Sequence, residues 1–111
     1  MNPIKTEPPK QEYYIAVNDA TASTPILIDF ENTNPVQKCL LSFRGCEGVA
    51  CLSETGDNAD KTVTSGKRVA KNFSLDDGQV YNLDISRVKN KYISGIAVES
   101  GASGYLVLQL T

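Results

Sequence analysis

The feature that most constrains this chain is a period of two. From Tyr13 onward, apolar side chains recur at alternate positions in short runs, and the runs are separated by Gly, Asn, Asp or Pro. Alternation places one set of side chains on a single face of an extended strand, whereas an amphipathic helix needs apolar residues at i, i+3, i+4 and i+7. No segment sustains that helical stripe. The fold must therefore be assembled from strands, without a long helix.

The strands can be placed one by one. Tyr13, Ile15 and Val17 share a face, and Asn18-Asp19-Ala20 supplies a turn. Pro25 opens a second strand, with Ile26, Ile28 and Phe30 on one side and Leu27 and Asp29 on the other. Glu31 to Pro35 is a loop, because proline steers Asn34 away from helix. Leu41 and Phe43 alternate with Leu40, Ser42 and Arg44; Gly45-Cys46-Glu47-Gly48 then reads as a tight hairpin returning through Val49 to Leu52.

Glu54 to Gly66 is polar, with Val63 its one large apolar residue, and is expected to be a surface loop, with a short strand around Val63 as the alternative. Arg68 to Leu75 reads as one strand with Phe73 and Leu75 on a common face. Asp76-Asp77-Gly78-Gln79 has hairpin-turn chemistry, followed by Tyr81, Leu83 and Ile85 inward and Asn82, Asp84 and Ser86 outward. Ser86 to Lys91 is a turn or a single helical turn. Tyr92, Ser94, Ile96 and Val98 alternate with Ile93, Gly95, Ala97 and Glu99. Ser100 to Gly104 is a third hairpin loop before a final strand, Tyr105 to Thr111.

Seven or eight short strands with regular turn signals predict an all-β, single-domain antiparallel sandwich of Greek-key or jelly-roll type, with a small barrel as the alternative. The 111 residues, 41% of them apolar, suffice for one core and not two. Residues 1–11, rich in Pro and charge, are expected to form an extended N-terminal arm ahead of the sandwich at 12–111.

Several function classes drop out. A net charge of −2 gives no electrostatic footprint for nucleic acid, and Lys67-Arg68 is the one adjacent basic pair. No run approaches the ~18 apolar residues of a membrane helix, so no membrane partner is expected. The N-terminus lacks the apolar segment of a secretory signal, which favours synthesis in the cytoplasm. Histidine is absent, and with it the Ser-His-Asp and Cys-His nucleophilic systems. Asp76 and Asp77 are adjacent, so on a strand or turn their carboxylates point apart and turn chemistry accounts for them. No catalytic residue is assigned; the chain is not expected to be an enzyme.

Metals and cofactors fare no better. Cys39, Cys46 and Cys51 occur without His and without a CxxC pair, which disfavours zinc. They are expected as small buried thiols, with a Cys39–Cys51 or Cys46–Cys51 disulfide as the alternative. Cys46, at a predicted hairpin tip, is the one thiol with a chance of exposure. Asp57, Asn58 and Asp60, with Glu54, are oxygen donors in one loop. They lack the EF-hand pattern and read as a solvated acidic loop. Asn72-Phe73-Ser74 matches a glycosylation sequon but lies within a predicted strand. No phosphate-cradling glycine motif occurs.

One feature points to association. Ile26-Leu27-Ile28, Leu40-Leu41 and Tyr105-Leu106-Val107-Leu108 are apolar on both faces, although a sandwich buries only one face of each sheet. Such strands need a second cover: the arm, the long loop or another chain. In the last strand, Leu106, Leu108 and Leu110 are assigned inward, leaving Tyr105 and Val107 for something else. The expected partner surface comprises Pro3, Ile4, Pro8 and Pro9 of the arm with Tyr13, Tyr14, Tyr105 and Val107.

The Pro-rich arm, short alternating strands, Gly/Ser loops and C-terminal strand together resemble small accessory proteins of tailed-phage virions, the capsid-decoration and head-fibre-base class. That resemblance implies a structural protein of the virion that binds capsid or neighbouring accessory subunits, as a homo-oligomer. Two rivals are a carbohydrate-binding or adhesion sandwich and a small bacterial partner-binding protein of the inhibitor or immunity type; outside a virion the location would be cytoplasmic.

Overall fold

The structure, a computed structural model, describes residues 12–28, 38–63, 67–69, 71–83 and 91–110. In chain order the strands are β1 (Glu12–Asn18), β2 (Ile26–Ile28), β3 (Cys39–Arg44), β4 (Gly48–Ser53), β5 (Arg68–Val69), β6 (Asn72–Leu75), β7 (Val80–Leu83), β8 (Lys91–Ala97) and β9 (Ser103–Leu110). Eight of them have three residues or more, and β5 has two. There is no helix among the described residues.

Two antiparallel sheets result, one ordered β1-β9-β3-β7 and the other β2-β8-β4-β6-β5. With the two-residue β5 set aside, this is the strand order of a jelly roll, in which successive strands alternate between the sheets except at β4 and β6, which are neighbours in one sheet. The sandwich expected from the alternation is therefore present, and of the two topologies the jelly roll is the one adopted. Among consecutive strands only β5 and β6 are hydrogen-bonded to each other.

That order corrects three expected hairpins. The turns at Gly45–Gly48, Asp76–Gln79 and Ser100–Gly104 exist, but each carries the chain from one sheet to the other. The reversal at Asp76–Gln79 does use the left-handed conformation that glycine tolerates, with φ of 83° at Gly78. It closes on itself, the Gln79 N–H donating to the Asp76 carbonyl at 3.0 Å, and it is also tied to a second corner. The Gly78 N–H donates to the Phe43 carbonyl at 2.8 Å, and the Gly45 N–H donates to Asp77 Oδ1 at 3.1 Å. A second correction concerns Arg68 to Leu75, expected as one strand. It is a small hairpin, β5 and β6, with Arg68 opposite Phe73 and Val69 opposite Asn72.

The core lies where alternation places it. Val17, Leu41, Phe43, Leu106, Leu108 and Leu110 from one sheet meet Ile28, Ala50, Phe73, Leu75, Ile93 and Ala97 from the other, all buried. Tyr13 and Ile15 pack against the same cluster. On the open side of the sandwich Tyr81 stacks on Phe73 with centroids 4.8 Å apart, and Arg68 Nη1 donates to the Tyr81 hydroxyl at 3.3 Å. Arg68 of the basic pair is thereby tied to a structural contact. Phe30, Ile85, the 31–35 loop, the turn over 86–90 and the arm at 1–11 lie outside the described residues.

The long polar loop is more than a surface excursion. Residues 54–63 lie over the outer face of the five-stranded sheet, where Ala59 and Val63 are buried with Val49, Cys51 and Ile96 in a second apolar cluster. Ser94 fixes it there: its hydroxyl donates to the Ser23 carbonyl at 2.7 Å and accepts from the Ala59 N–H at 3.1 Å. Ser53 Oγ accepts from the N–H groups of Gly56 and Asp57, and Lys61 Nζ donates to the Asp19 carbonyl at 2.6 Å. The outer face of this sheet thus receives a cover from its own chain over β4 and β8, while Leu27 of the doubly apolar β2 stays half exposed.

Ser94 has no exposed surface, so Ser94→Ala leaves a buried amide and a carbonyl without their partner. The expected cost is about 2 kcal/mol, read as a lower denaturation midpoint. The 54–63 loop should become susceptible to limited proteolysis at the same time. Undiminished protection of the loop in S94A would show that the apolar cluster alone holds it.

Candidate functional site

The outer face of the four-stranded sheet is built differently. Alternation directs Glu12, Tyr14, Ala16 and Asn18 of β1 outward, and register aligns them with Gln109, Val107, Tyr105 and Ser103 of β9. Across β9, Gln109, Val107 and Tyr105 align in turn with Leu40, Ser42 and Arg44 of β3. Ser42 then faces Val80 of β7. Among the described residues, three of the four exposed large hydrophobics fall on this face: Tyr14, Tyr105 and Val80, each about half exposed. The fourth, Leu27, is in β2 of the other sheet.

These side chains form a cluster. The Tyr14 and Tyr105 rings meet edge to face, with centroids 6.4 Å apart and an interplanar angle of 78°. The Arg44 guanidinium lies 5.9 Å from the Tyr14 ring centroid, within range of a cation–π contact. Glu12 lies at the near edge, accepting from the Tyr14 hydroxyl at 3.4 Å and from Gln109 Nε2 at 3.3 Å. A shallow cleft of about 490 Å³ adjoins the cluster where β3 and β9 reach the end of the sandwich. Ala16, Arg44, Gly45, Ser103, Gly104 and Tyr105 are among the residues lining it.

The structure divides the expected partner residues. Tyr14 and Tyr105 come together on the exposed face. Tyr13 does not join them; it shares the inward face of β1 with Ile15 and packs on the core. Val107 points outward as expected but has no exposed surface. It occupies the middle of the face, between Tyr14 on one neighbouring strand and Ser42 on the other, and so is not left bare for a partner. Pro3, Ile4, Pro8 and Pro9 lie outside the described residues. Arg44 and Val80 were not singled out in the sequence, although Arg44 shares the outward parity of Ser42 and Val80 has the parity opposite to inward Tyr81.

The other candidates have local roles. All three cysteines are free and buried. Cys39 and Cys46 belong to the inner core and Cys51 to the cluster under the loop. Cys46, the suspected tip thiol, is 6% exposed, and burial and the Asp77 carboxylate both push its pKa up. That holds the thiol in its unreactive form. In the acidic loop, Asp57 pairs with Lys71 and accepts from Thr55, which holds its carboxyl below the usual range. Asp60 accepts from the Thr62 amide and hydroxyl, with the same effect. Asn72 Oδ1 accepts from the Asp60 N–H at 3.0 Å. Among the described residues no three His, Cys, Asp or Glu side chains gather as a metal site would require.

No family model and no curated protein matches the chain. Among solved structures, the coat protein of Tobacco streak virus aligns over 95% of this chain and 90% of its own, at 10% identity and a TM-score of 0.40. A likeness of that degree carries no weight for fold or role.

Proposed function

We propose that this chain is a non-enzymatic assembly protein, a virion accessory subunit that binds capsid or neighbouring accessory subunits through the outer face of the β1-β9-β3-β7 sheet. The observation that carries this reading is the asymmetry between the two outer faces. One is covered by the chain's own 54–63 loop. The other presents Tyr14, Tyr105 and Val80 beside Arg44, and Tyr and Arg are the residue types that dominate the energetics of protein interfaces. The jelly-roll order supports a virion setting by analogy of fold, since capsid domains use it.

The test is cosedimentation with capsid shells encoded by the same genome. Tyr105→Ala and Arg44→Ala are each expected to weaken binding about 30-fold, as loss of a ~2 kcal/mol anchor does, with no change in folded stability beyond ~0.5 kcal/mol. Absence of wild-type binding, or equal binding by both variants, overturns the proposal.

A carbohydrate-binding role is the second reading. It is favoured by the exposed Tyr14–Tyr105 pair beside the cleft and by the use of the same fold in lectins. Binding to a glycan array that disappears in Y105A, with no binding to shells, would select it.

A further inference from the structure

The position of β1 at the margin of its sheet, among the described residues, leads past the outer face to a specific mode of self-association. Edge strands expose a row of backbone donors and acceptors, and natural sheets protect them by shortness, proline, lysine or bulges. In the described part of this fold the four edges are β1 and β7 in one sheet and β2 and β5 in the other. Three of them are short, at four, three and two residues for β7, β2 and β5. β1 is seven residues long and pairs continuously with β9 from Glu12 to Asn18. Its sequence, Glu-Tyr-Tyr-Ile-Ala-Val-Asn, contains no Pro, Gly or Lys, and its one charge sits at its first residue. Among the described residues no second strand pairs with it.

We propose that β1 pairs antiparallel with β1 of a second copy of this chain, about a two-fold axis at Ile15. In that register Glu12 faces Asn18 of the second copy, Tyr13 faces Val17, Tyr14 faces Ala16 and Ile15 faces itself. On the outer surface a large side chain meets a small one, on the inner surface apolar meets apolar, and the single carboxylate meets a neutral amide. No like charges oppose each other, the condition that cross-strand pairing requires. The contact is isologous and closes at two subunits, and strand addition of this kind draws its affinity from main-chain hydrogen bonds. The product is one continuous eight-stranded sheet, built from four strands of each copy, with both Tyr14–Tyr105–Arg44 clusters on the same side. This inference goes beyond the proposed role and rests on the strand's edge, not on what its outer face binds.

Sedimentation of the full chain tests it. The wild type is expected at twice 12.0 kDa at about 100 μM, a concentration that a pairing free energy of ~6 kcal/mol or better would populate. The double variants Y14K/A16K and Y14E/A16E each set like charges against each other twice, at positions that are exposed in the single chain. Each should weaken the dimer by about tenfold or more, and an equimolar mixture of the two should restore it as a heterodimer. Amide exchange on the wild type gives a reading that does not depend on the variants: the outward amides of β1 should slow as protein concentration rises. A wild type that stays monomeric to about 1 mM, a mixture that associates no better than either variant alone, or outward β1 amides indifferent to concentration each overturns the inference. Shell binding is followed separately through R44A and Y105A, which leave the β1 sequence untouched, so the two proposals fail independently.

Discussion

Gly104→Ala is expected to lower the unfolding free energy by about 3 kcal/mol, toward the upper end of what overpacking a filled site costs. The start of β9 presses against the corner between β3 and β4. A Cβ on Gly104 would lie 2.3 Å from the Arg44 carbonyl oxygen and 2.9 Å from Cys46 Sγ. The first of these contacts is with backbone, which cannot swing aside as a side-chain tip does. Relief requires β9 to move away from the corner, loosening its pairing with both β1 and β3. Gly101→Ala is the control. Nothing lies within 4 Å of a Cβ there, and the cost comes only from its φ of +76°, about 1 kcal/mol. Urea titration of both variants, with unchanged denaturant slopes, should separate the two losses. Equal midpoints would mean that the corner accommodates the methyl group.

The second large effect appears in alkali. Cys39 lies on β3 between Leu83 and Leu110 of the flanking strands, with no exposed surface. Burial raises its thiol from 9.0 to about 12, because the thiolate would lose its hydration without gaining a partner. Below pH 9 the folded and unfolded chains both hold this proton and the group does not alter stability. Above pH 9 the unfolded chain releases it first, so stability falls as pH rises toward the folded value. The loss reaches on the order of 4 kcal/mol near pH 12. The informative quantity is the difference from Cys39→Ala, which isolates this thiol from every other contribution to the alkaline limb. That variant should be somewhat less stable at neutral pH but decline less steeply between pH 9 and 12. Parallel curves for the two proteins would remove Cys39 as the source of the alkaline limb.

Parity was the legible part of this sequence. The inward sets Ile15/Val17, Leu41/Phe43 and Leu106/Leu108/Leu110 all lie in the core, because a strand's alternation is fixed by its backbone whatever it pairs with. Parity also assigned Tyr13 to the inward side with Ile15, and its inclusion among partner residues ran against that pattern. Pairing was not legible. Gly and Asp at Asp76–Gly78 specify that the chain reverses, but the same reversal serves a hairpin or a crossing between sheets. Only long-range register distinguishes the two. The break between β5 and β6 went unseen because residues 70–71 are Ala-Lys, with none of the usual turn chemistry. Burial of Val107 was hidden for a related reason: a position central to a sheet is shielded by neighbours that are distant in sequence.

For the site, the aromatic half was readable and the assembled cluster was not. Tyr14 and Tyr105 stood out as large residues facing away from the core, but they are brought together by the β1–β9 register across most of the chain. Arg44 joins them through a separate register between β3 and β9. The loop over the other sheet left a fainter trace. Val49, Cys51 and Ile96 have the wrong parity for the core, and Ala59 and Val63 are apolar residues in a polar segment. These residues matched a surface with its cover, without indicating which loop would supply it.

The pairing of β1 with β9 sets the timing of folding. β1 is made before every other described strand and β9 after them, yet β1 has β9 as its neighbour in the sheet. While the chain is still being synthesised, Tyr13, Ile15 and Val17 therefore wait with their apolar faces unmatched, and β3 likewise lacks one of its two neighbours. The four-stranded sheet can close only once β9 has been released, through contacts of high sequence separation that form slowly. A chain stalled before β9 would leave β1 without its neighbour and β3 with one side bare, making nascent β1 and β3 the segments for which a ribosome-associated chaperone would compete.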